Sequence, residues 1–321
     1  MIAIDNLIRK LRVSLSGAPI VLAHEYHKPP YGGVNQFLAA LKGAWEKQGR
    51  DVSWNRINRR SQAVLFNSFS CDFDYLRRMR RPGLRMVHRV DGPVGVYRGK
   101  DEGLDRLIVQ MNHELADATI FQSRYCLEKH RELGMEFKNP VIIFNASDPG
   151  IFYPPPASGI LPDAGKVKVV STSWSDNPRK GQAVYEWLDQ YLDFSRFEYT
   201  FVGQCQAQFK NIRLIAPQTS LKLADILRQQ HIFLIASQHE PCSNALIEAL
   251  SCGLPSLYLK SGSHAELVGS GGLGFDQAEE IPALLDQLTA NYALFCSEIR
   301  APSITDIADK YLDVVLGCQD E

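Results

Sequence analysis

Two glutamates, Glu240 and Glu248, stand eight positions apart in the segment of the chain that is richest in chemical information. An apolar run at residues 231–236 before the first glutamate predicts a buried strand, and residues 244–251 around the second predict a short helix. The first backbone N–H groups of a helix have no partners within it and carry the positive end of its dipole. The spacing therefore predicts an anion site, suited to a diphosphate, with a carboxylate on either side. The residues at this helix start are Cys242, Ser243 and Asn244.

Lys180 supplies positive charge at a second predicted strand–loop–helix unit, residues 167–192. A cation at the start of a helix opposes the helix dipole unless an anion lies nearby, so Lys180 is predicted to lie beside the same anion. Arg179 precedes it, and a diphosphate is usually held by two cations. A solvated lysine on the surface is the alternative.

The first half of the chain offers two further candidates. Gly32 and Gly33 follow a predicted strand and open a predicted helix, and glycine lets the backbone approach a ligand closely. His88 stands at the end of the predicted strand 85–88, with Asp91 close behind it. Ligands of doubly wound sheets bind beyond the carboxyl ends of the strands, so His88 is expected to point into a cleft and Asp91 to bind hydroxyl groups of a ligand. The alternatives are a plain turn and a structural histidine.

Short apolar runs alternate with amphipathic segments throughout the chain, which predicts parallel sheets with right-handed crossovers. The segment 153–165 is rich in proline, glycine and small residues and predicts a linker. We therefore expect two Rossmann-like doubly wound α/β domains, residues 1–155 and 156–321, facing each other across a cleft. The predicted strands are residues 19–23, 52–54, 63–66, 85–88, 118–121, 141–144, 167–172, 198–202, 213–215, 232–236 and 256–259.

Composition restricts the class of protein. A length of 321 residues fits about two domains, and a net charge of −1 provides no general attraction for nucleic acid. The seven cysteines form no CxxC pair, which argues against a disulfide framework or a zinc site and favours the cytoplasm. No apolar stretch reaches the ~18 residues that span a bilayer. The basic residues 77–81 predict a solvated helix face, with weak peripheral contact to anionic lipid headgroups as the alternative.

The sequence Glu248-Ala-Leu-Ser-Cys-Gly-Leu-Pro255, with Glu240 eight positions before its first residue, resembles the hallmark of family 4 retaining glycosyltransferases of GT-B fold. That hallmark is an E-x7-E pair followed by Glu-Ala-hydrophobic-small-x-Gly-x-Pro. The resemblance is clear over residues 165–275 and patchy over residues 1–155. It implies a GT-B fold whose last helix packs back against the N-terminal domain.

The resemblance also implies roles for individual residues. Glu240 would contact the donor sugar, His88 would lie close to that sugar, and Lys180 would belong to a diphosphate clamp. The usual arginine position of that clamp holds Ser175 here, with Arg179 near it. The residues implied around the nucleotide, including Glu248 on the ribose hydroxyls, are Gly32, Gly33, Arg179, Cys242, Ser243, Asn244, Glu248 and Glu266.

The implied reaction moves a sugar from a UDP-, GDP- or TDP-sugar to a hydroxyl group of a glycan, lipid or small molecule. The family's chemistry implies retention of the anomeric configuration, no metal and no further cofactor. The leaving phosphate would accept the acceptor proton. Two alternatives stay open: a sugar-nucleotide epimerase or phosphorylase of the same fold, and a non-catalytic sugar-nucleotide-binding protein. Ser175 is the only feature that favours the second. The sequence indicates no oligomeric state.

Overall fold

The computed structural model describes residues 19–25, 33–156, 159–161 and 165–317, and Gly32 lies outside them. Two six-stranded sheets, in which every pair of neighbouring strands runs parallel, form the framework. They confirm the predicted α/β architecture of two Rossmann-like units. The chain crosses from one sheet to the other between Ile142 and Val167, and the predicted domain boundary at residues 155 and 156 lies in that connection.

The first sheet has the strand order β2-β1-β3-β4-β5-β6. Its central strands are buried along their length, because helices cover both faces of a parallel sheet. The strands are β1 (Ile20–Ala23), β2 (Val52–Trp54), β3 (Ala63–Asn67), β4 (Arg85–Val90), β5 (Ala118–Phe121) and β6 (Pro140–Ile142). The helices described between them are α1 (Gly33–Lys47), α2 (Phe73–Met79), α3 (Val94–Arg98), α4 (Leu104–Leu115) and α5 (Arg124–Glu132).

The second sheet has the order β12-β11-β10-β7-β8-β9. Its strands are β7 (Val167–Ser173), β8 (Phe197–Gly203), β9 (Arg213–Ile215), β10 (Ile232–Ile235), β11 (Ser256–Leu259) and β12 (Gly272–Phe275). Its helices are α6 (Gln182–Tyr191), α7 (Ser220–Leu227), α8 (Asn244–Ser251), α9 (His264–Val268), α10 (Ile281–Ala290) and α11 (Tyr292–Ser297), with single 3-10 turns at Pro178–Lys180 and Ala278–Glu280.

Strand β12 was not predicted, because glycine is a poor strand former. The structure shows why glycine is needed there. A Cβ atom at Gly272 would lie 1.9 Å from the carbonyl oxygen of Ser256, its partner on the neighbouring strand β11. The close approach of two backbones thus outweighs the intrinsic preference of the residue.

The final helix, α12 (Ile304–Leu316), follows the second sheet in the chain but packs on the first domain. Its buried face, including Ile307 and Tyr311, shares a hydrophobic core with β1 and α1. The indole of Trp45 on α1 donates a hydrogen bond to the carbonyl of Ala308 over 2.9 Å. Among the described residues, no helix is both long enough and apolar enough to cross a membrane.

Candidate active site

The starts of two helices, one from each domain, meet between the sheets. Helix α1 begins at Gly33 and helix α8 at Asn244, and a Cβ atom at Gly33 would lie 2.3 Å from Nδ2 of Asn244. Only glycine allows this contact without displacing the asparagine. Both helix starts carry positive dipole ends, and two such ends in contact favour an anion beside them.

The start of α8 is built from the predicted residues, but their side chains are engaged within the protein. Ser243 caps the helix, since its hydroxyl accepts a hydrogen bond from the amide of Leu246 over 3.3 Å. Cys242 is buried in the apolar core, and burial raises the pKa of its thiol to about 12, so it stays neutral. The side-chain oxygen of Asn244 accepts a hydrogen bond from Asn145 over 3.1 Å. These residues can therefore offer backbone amides rather than side chains to an anion.

Glu248, one turn further along α8, borders a cavity of about 500 Å³ between the two domains. Its side chain is almost fully enclosed, and burial raises its pKa to about 8. Within the described part of the chain, no hydrogen bond or ion pair of its carboxyl group is found. The cavity is within the usual size range of small-molecule sites. Its other lining residues include Gly33, Ala40, Ala44, Ile151 and Ile304.

Lys180 and Glu240 form an ion pair beyond the carboxyl ends of the strands of the second sheet. Lys180 ends the 3-10 turn Pro178–Lys180, and Glu240 lies in the loop between β10 and α8. Burial raises the pKa of Glu240, but Lys180 beside it outweighs burial and holds the pKa below its usual value. His239, directly before it, has a φ of 57°, a left-handed conformation that is uncommon for histidine. The structure thus brings together two of the three predicted catalytic residues.

No protein-family model matches the chain, and no curated protein sequence is similar to it at a significant level. Solved structures do match. HepE from Anabaena, in complex with UDP and glucose, is 14% identical with a TM-score of 0.70, covering 92% of this chain and 99% of that one. Starch synthase IV from Arabidopsis thaliana (catalytic domain, bound to ADP and acarbose) is 12% identical with a TM-score of 0.69, covering 94% and 99%.

Sucrose-phosphate synthase from Thermosynechococcus elongatus is 14% identical with a TM-score of 0.65, covering 94% of this chain and 95% of that one. These structures are GT-B glycosyltransferases. The chain has the GT-B fold. At such low identity the likeness extends to the fold alone, and the chemistry must be argued from the residues present.

His88 does not face the interdomain space of this GT-B chain, and the prediction that it points into the cleft is wrong. Its side chain is fully buried in the first sheet. Nε2 lies 3.1 Å from the backbone carbonyl oxygen of Ser68, and Nδ1 lies 3.3 Å from the side-chain nitrogen Nδ2 of Asn112. The ring stacks on Phe66. Burial lowers its pKa to about 3, so the imidazole is neutral. His88 lies in the middle of β4, where successive side chains point to opposite faces of the sheet. Its side chain therefore points toward the helices that cover one face.

Arg179 and Glu266 form hydrogen bonds between the two domains. Neither residue lines the cavity beside the starts of α1 and α8. The guanidinium of Arg179 donates a hydrogen bond to the carbonyl of Val96, within α3. The carboxylate of Glu266 accepts hydrogen bonds from the amides of Arg124 and Tyr125, over 2.9 and 2.8 Å, at the start of α5. Both contacts follow from the helix dipole, which attracts cations to the last turn and carboxylates to the first. The roles of these two residues at the nucleotide stay predictions.

A buried network around Arg89 was missed by the sequence reasoning. Its guanidinium is fully buried and donates hydrogen bonds to Asn145 over 2.7 Å, to Asp91 over 3.2 Å and to Tyr311 of α12 over 3.2 Å. Asn145 in turn donates to Asn244 at the start of α8. Arg89 therefore positions the α8 start indirectly, and Asp91 accepts one of its hydrogen bonds. An arginine inside an apolar strand was the available signal, since buried charges need partners.

Metal binding finds no support in the side chains described. Among residues 19–25, 33–156, 159–161 and 165–317, no group of three or more His, Cys, Asp or Glu side chains is arranged to hold a metal ion. The two acids Asp72 and Asp74 lie at the start of α2, where carboxylates stabilise the helix. Asp72 caps it by accepting a hydrogen bond from the amide of Tyr75 over 2.8 Å.

Proposed function

We propose that this protein is a glycosyltransferase that moves a sugar from a nucleoside-diphosphate sugar to a hydroxyl group of an acceptor. One observation carries the proposal: the starts of α1 and α8 meet beside a 500 Å³ cavity bordered by Glu248. Two converging helix starts suit a diphosphate, and a buried carboxyl without partners among the described residues suits a pair of ribose hydroxyls.

The remaining residues fit the departure of a nucleoside diphosphate. As the bond between the sugar and the diphosphate breaks, negative charge grows on the leaving oxygen. The amides at the start of α8 and the ammonium group of Lys180 would stabilise that charge. Glu240, held as a carboxylate by Lys180, would contact the donor sugar. Because these groups already supply positive charge, we propose a reaction without a catalytic metal.

Retention of configuration is part of the proposal. The leaving phosphate would take the proton of the acceptor hydroxyl on the same face of the sugar as the new bond forms. No side chain of the described cleft is needed as a general base in this scheme. His88, the histidine predicted there, is buried and neutral and has no part in it.

The first test is the rise in melting temperature with a panel of nucleotides: UDP, GDP, TDP and ADP, each with its monophosphate as control. A ligand that binds the native state raises its apparent stability. We expect one diphosphate to raise the melting temperature more than its monophosphate does. Nucleotide sugars of that base are then incubated with the protein, and release of the diphosphate is followed. Equal shifts with diphosphates and monophosphates would contradict the proposed diphosphate site.

Lys180→Met provides a sharper test of the site, with Lys260→Met as the matched control. Both lysines are paired with an acid, Glu240 and Asp276 respectively, but only Lys180 belongs to the proposed diphosphate site. We expect Lys180→Met to weaken diphosphate binding at least about tenfold, since a charge-assisted contact contributes about 1.5–3 kcal/mol. Equal effects of the two substitutions would remove Lys180 from the site.

A non-catalytic sugar-nucleotide-binding protein is the second candidate. Ser175 stands where the family has an arginine, and Arg179 is engaged with α3, so Lys180 lacks a second cation among the predicted residues. Slow hydrolysis of the bound nucleotide sugar without an acceptor would favour the enzyme. Tight binding without any turnover, over a panel of acceptors, would favour the binding protein.

A further inference from the structure

Two buried polar side chains, Ser237 and His264, adjoin the ion pair of Lys180 and Glu240. His264, the first residue of α9, is fully buried, and its Nε2 atom lies 3.4 Å from the hydroxyl oxygen of Ser237, just after β10. Ser237 also forms a side-chain hydrogen bond with Glu240. The reaction proposed above gives no part to Ser237 or His264, although a short chain of contacts joins them to a residue that it uses.

The hydrogen bonds of His264 fix its tautomer. Nδ1 lies 2.9 Å from the carbonyl oxygen of Leu259, and a carbonyl only accepts, so Nδ1 carries the hydrogen of the neutral ring. Nε2 therefore faces Ser237 without a hydrogen. Burial lowers the pKa of His264, so the ring is neutral at pH ~7 in the arrangement that the structure shows. Nε2 can thus take up a proton, and only one hydroxyl group separates it from a carboxylate.

The backbone keeps His264 and Glu240 at a fixed separation. The amide of Ser263 donates a hydrogen bond to the carbonyl of Glu240 over 3.0 Å. A Cβ atom at Gly262 would lie 2.5 Å from the amide nitrogen of Glu240, and its φ of 63° is one that glycine adopts readily. Because the two loops are held together in this way, a change of charge on either side chain acts on the other without movement of the backbone.

Charge links three titratable groups of this cluster. Burial raises the pKa of Glu240, whereas Lys180 and, when it is protonated, His264 lower it. Besides burial, Lys180 lowers the pKa of His264 and Glu240 raises it. The ring of Tyr258 packs edge-on against His264, at 6.5 Å between centroids, and burial raises its pKa, so it is uncharged near neutral pH. The proton affinity of His264 thus depends on where the ammonium group of Lys180 lies.

Glu240 and Lys180 differ in their access to a ligand. The side chain of Glu240 is 14% exposed and that of Lys180 is 38% exposed. In the proposed reaction Lys180 stabilises the diphosphate, and its ammonium group then serves the ligand rather than Glu240. A buried carboxylate that loses its partner is strongly destabilised. Either another cation replaces the lysine, or the carboxylate is protonated and no longer meets the sugar as an anion.

We propose that His264 becomes the counter-charge of Glu240 when a nucleotide sugar binds and Lys180 turns to its diphosphate. A proton from solvent is added to Nε2, the imidazolium donates a hydrogen bond to Ser237, and Ser237 donates to Glu240. Glu240 thus stays a carboxylate that accepts hydrogen bonds from the hydroxyl groups of the sugar. His264 is a positioning residue, since it acts through Ser237 and Glu240. The inference rests on the proposed function, but the charge coupling of His264 to Glu240 does not.

The first experiment measures that coupling without a ligand, by NMR titration of the His264 ring in protein that contains isotope-labelled histidine. His264→Gln assigns the signal. Lys180→Met imitates the departure of the lysine, and Lys260→Met is the matched control, because Lys260 is paired with Asp276 instead. We expect wild-type His264 to be the Nδ1–H tautomer at pH ~7 and to bind a proton at least about tenfold more tightly in Lys180→Met. Glu240→Gln, added to Lys180→Met, should cancel this gain.

Three results of that titration would overturn the inference. They are an unchanged proton affinity in Lys180→Met, an equal gain in Lys260→Met, and a gain that persists when Glu240→Gln is added. The last result would mean that the proton responds to the loss of the lysine alone and not to the carboxylate.

The second experiment records the same signal at pH ~7 with a saturating nucleotide sugar and with its nucleoside, which lacks the diphosphate. We expect a protonated ring with the first ligand and a neutral ring with the second. His264→Gln should bind the nucleotide sugar at least about fivefold more weakly, because Glu240 then lacks a counter-charge. Its affinity for the nucleoside should stay within about twofold of the wild type, whereas a merely structural role would weaken both alike.

A neutral ring in the complex with the nucleotide sugar would overturn the inference. If no nucleotide sugar binds to the wild type, the proposed function is contradicted. The titration of Lys180→Met would then decide the coupling of His264 to Glu240 by itself.

Discussion

His88 in the middle of β4 and Glu248 in the second turn of α8 are both buried titratable side chains. Burial favours the uncharged form of each. Burial lowers the pKa of His88 to about 3 and raises that of Glu248 to about 8. Their surroundings differ. The nitrogens of His88 lie close to Ser68 and Asn112, whereas the carboxyl of Glu248 borders a cavity and has no partner within the described residues.

This difference shows what marks a functional group in a GT-B chain. A shifted pKa alone does not, because burial shifts the pKa of the packed histidine as far as that of the acid beside the cavity. Unused hydrogen-bonding capacity beside an open space is the better indicator, since a protein rarely leaves a buried polar group without a partner. By this measure we propose Glu248 as a binding residue, whereas His88 packs inside the first domain. Four experiments test the distinction.

The largest effect is expected for Glu248→Ala. If the carboxylate holds two ribose hydroxyls, its loss removes charge-assisted hydrogen bonds that contribute about 1.5–3 kcal/mol each, and nucleotide affinity falls at least about 100-fold above about pH 8, where the wild-type carboxyl is ionised. Isothermal titration with the preferred diphosphate measures this. Glu46→Ala, on an exposed glutamate of α1 that is paired with Lys42, serves as control and should leave the affinity unchanged. Full affinity in Glu248→Ala would place the ribose elsewhere.

His88→Leu should show the opposite pattern. It removes the contacts of the imidazole with the Ser68 carbonyl and the Asn112 side chain, which costs about 2 kcal/mol of unfolding free energy. Nucleotide affinity should stay within about twofold of the wild type. Denaturant unfolding and calorimetric titration measure the two quantities. His113→Leu, on an exposed histidine, is the control for stability. A large loss of affinity with little loss of stability would return His88 to the active site.

The pH dependence of donor binding follows from the raised pKa of Glu248. Below about pH 8 its carboxyl is mostly protonated, and the ionised fraction falls about tenfold for each pH unit. Because the carboxylate is the form proposed to accept the ribose hydroxyl protons, affinity should fall about tenfold from pH ~7 to pH ~6. The probe is an intact nucleotide sugar, whose diphosphate does not titrate in this range. Glu248→Gln should remove the dependence, and a dependence kept in that variant would assign it to another group.

The smallest effect is expected for Glu266→Gln. The amide side chain keeps one acceptor oxygen for the start of α5 but loses the charge that favours that position. We expect a melting temperature lower by about 2 °C and an unchanged nucleotide affinity. Glu279→Gln, an exposed glutamate of the second domain, is the control. A strong loss of affinity in Glu266→Gln alone would mean that the residue borders the nucleotide after all.

The sequence predicted the local structure of the site better in the second domain than in the first. Around α8, local features were sufficient: an apolar run, a capping serine and a helix with glutamates before and within it. In the first domain, the direction of one side chain decided the outcome. His88 and Arg89 are neighbours on β4 and both are fully buried, yet the first completes a core and the second binds Asn145 and Tyr311. Sequence patterns indicated a strand there but not which contacts each side chain makes.

The amino-acid sequence by itself determined the alternation of strands and helices, the parallel sheets and the helix start after Glu240, because these follow from the spacing of residues close in the chain. Only the tertiary structure decided that α1 and α8 meet at their starts, that Tyr311 reaches Arg89 from 222 positions away, and that Glu266 binds the start of α5. Those contacts join residues distant in the chain. They depend on how two complete domains pack, which no local pattern encodes.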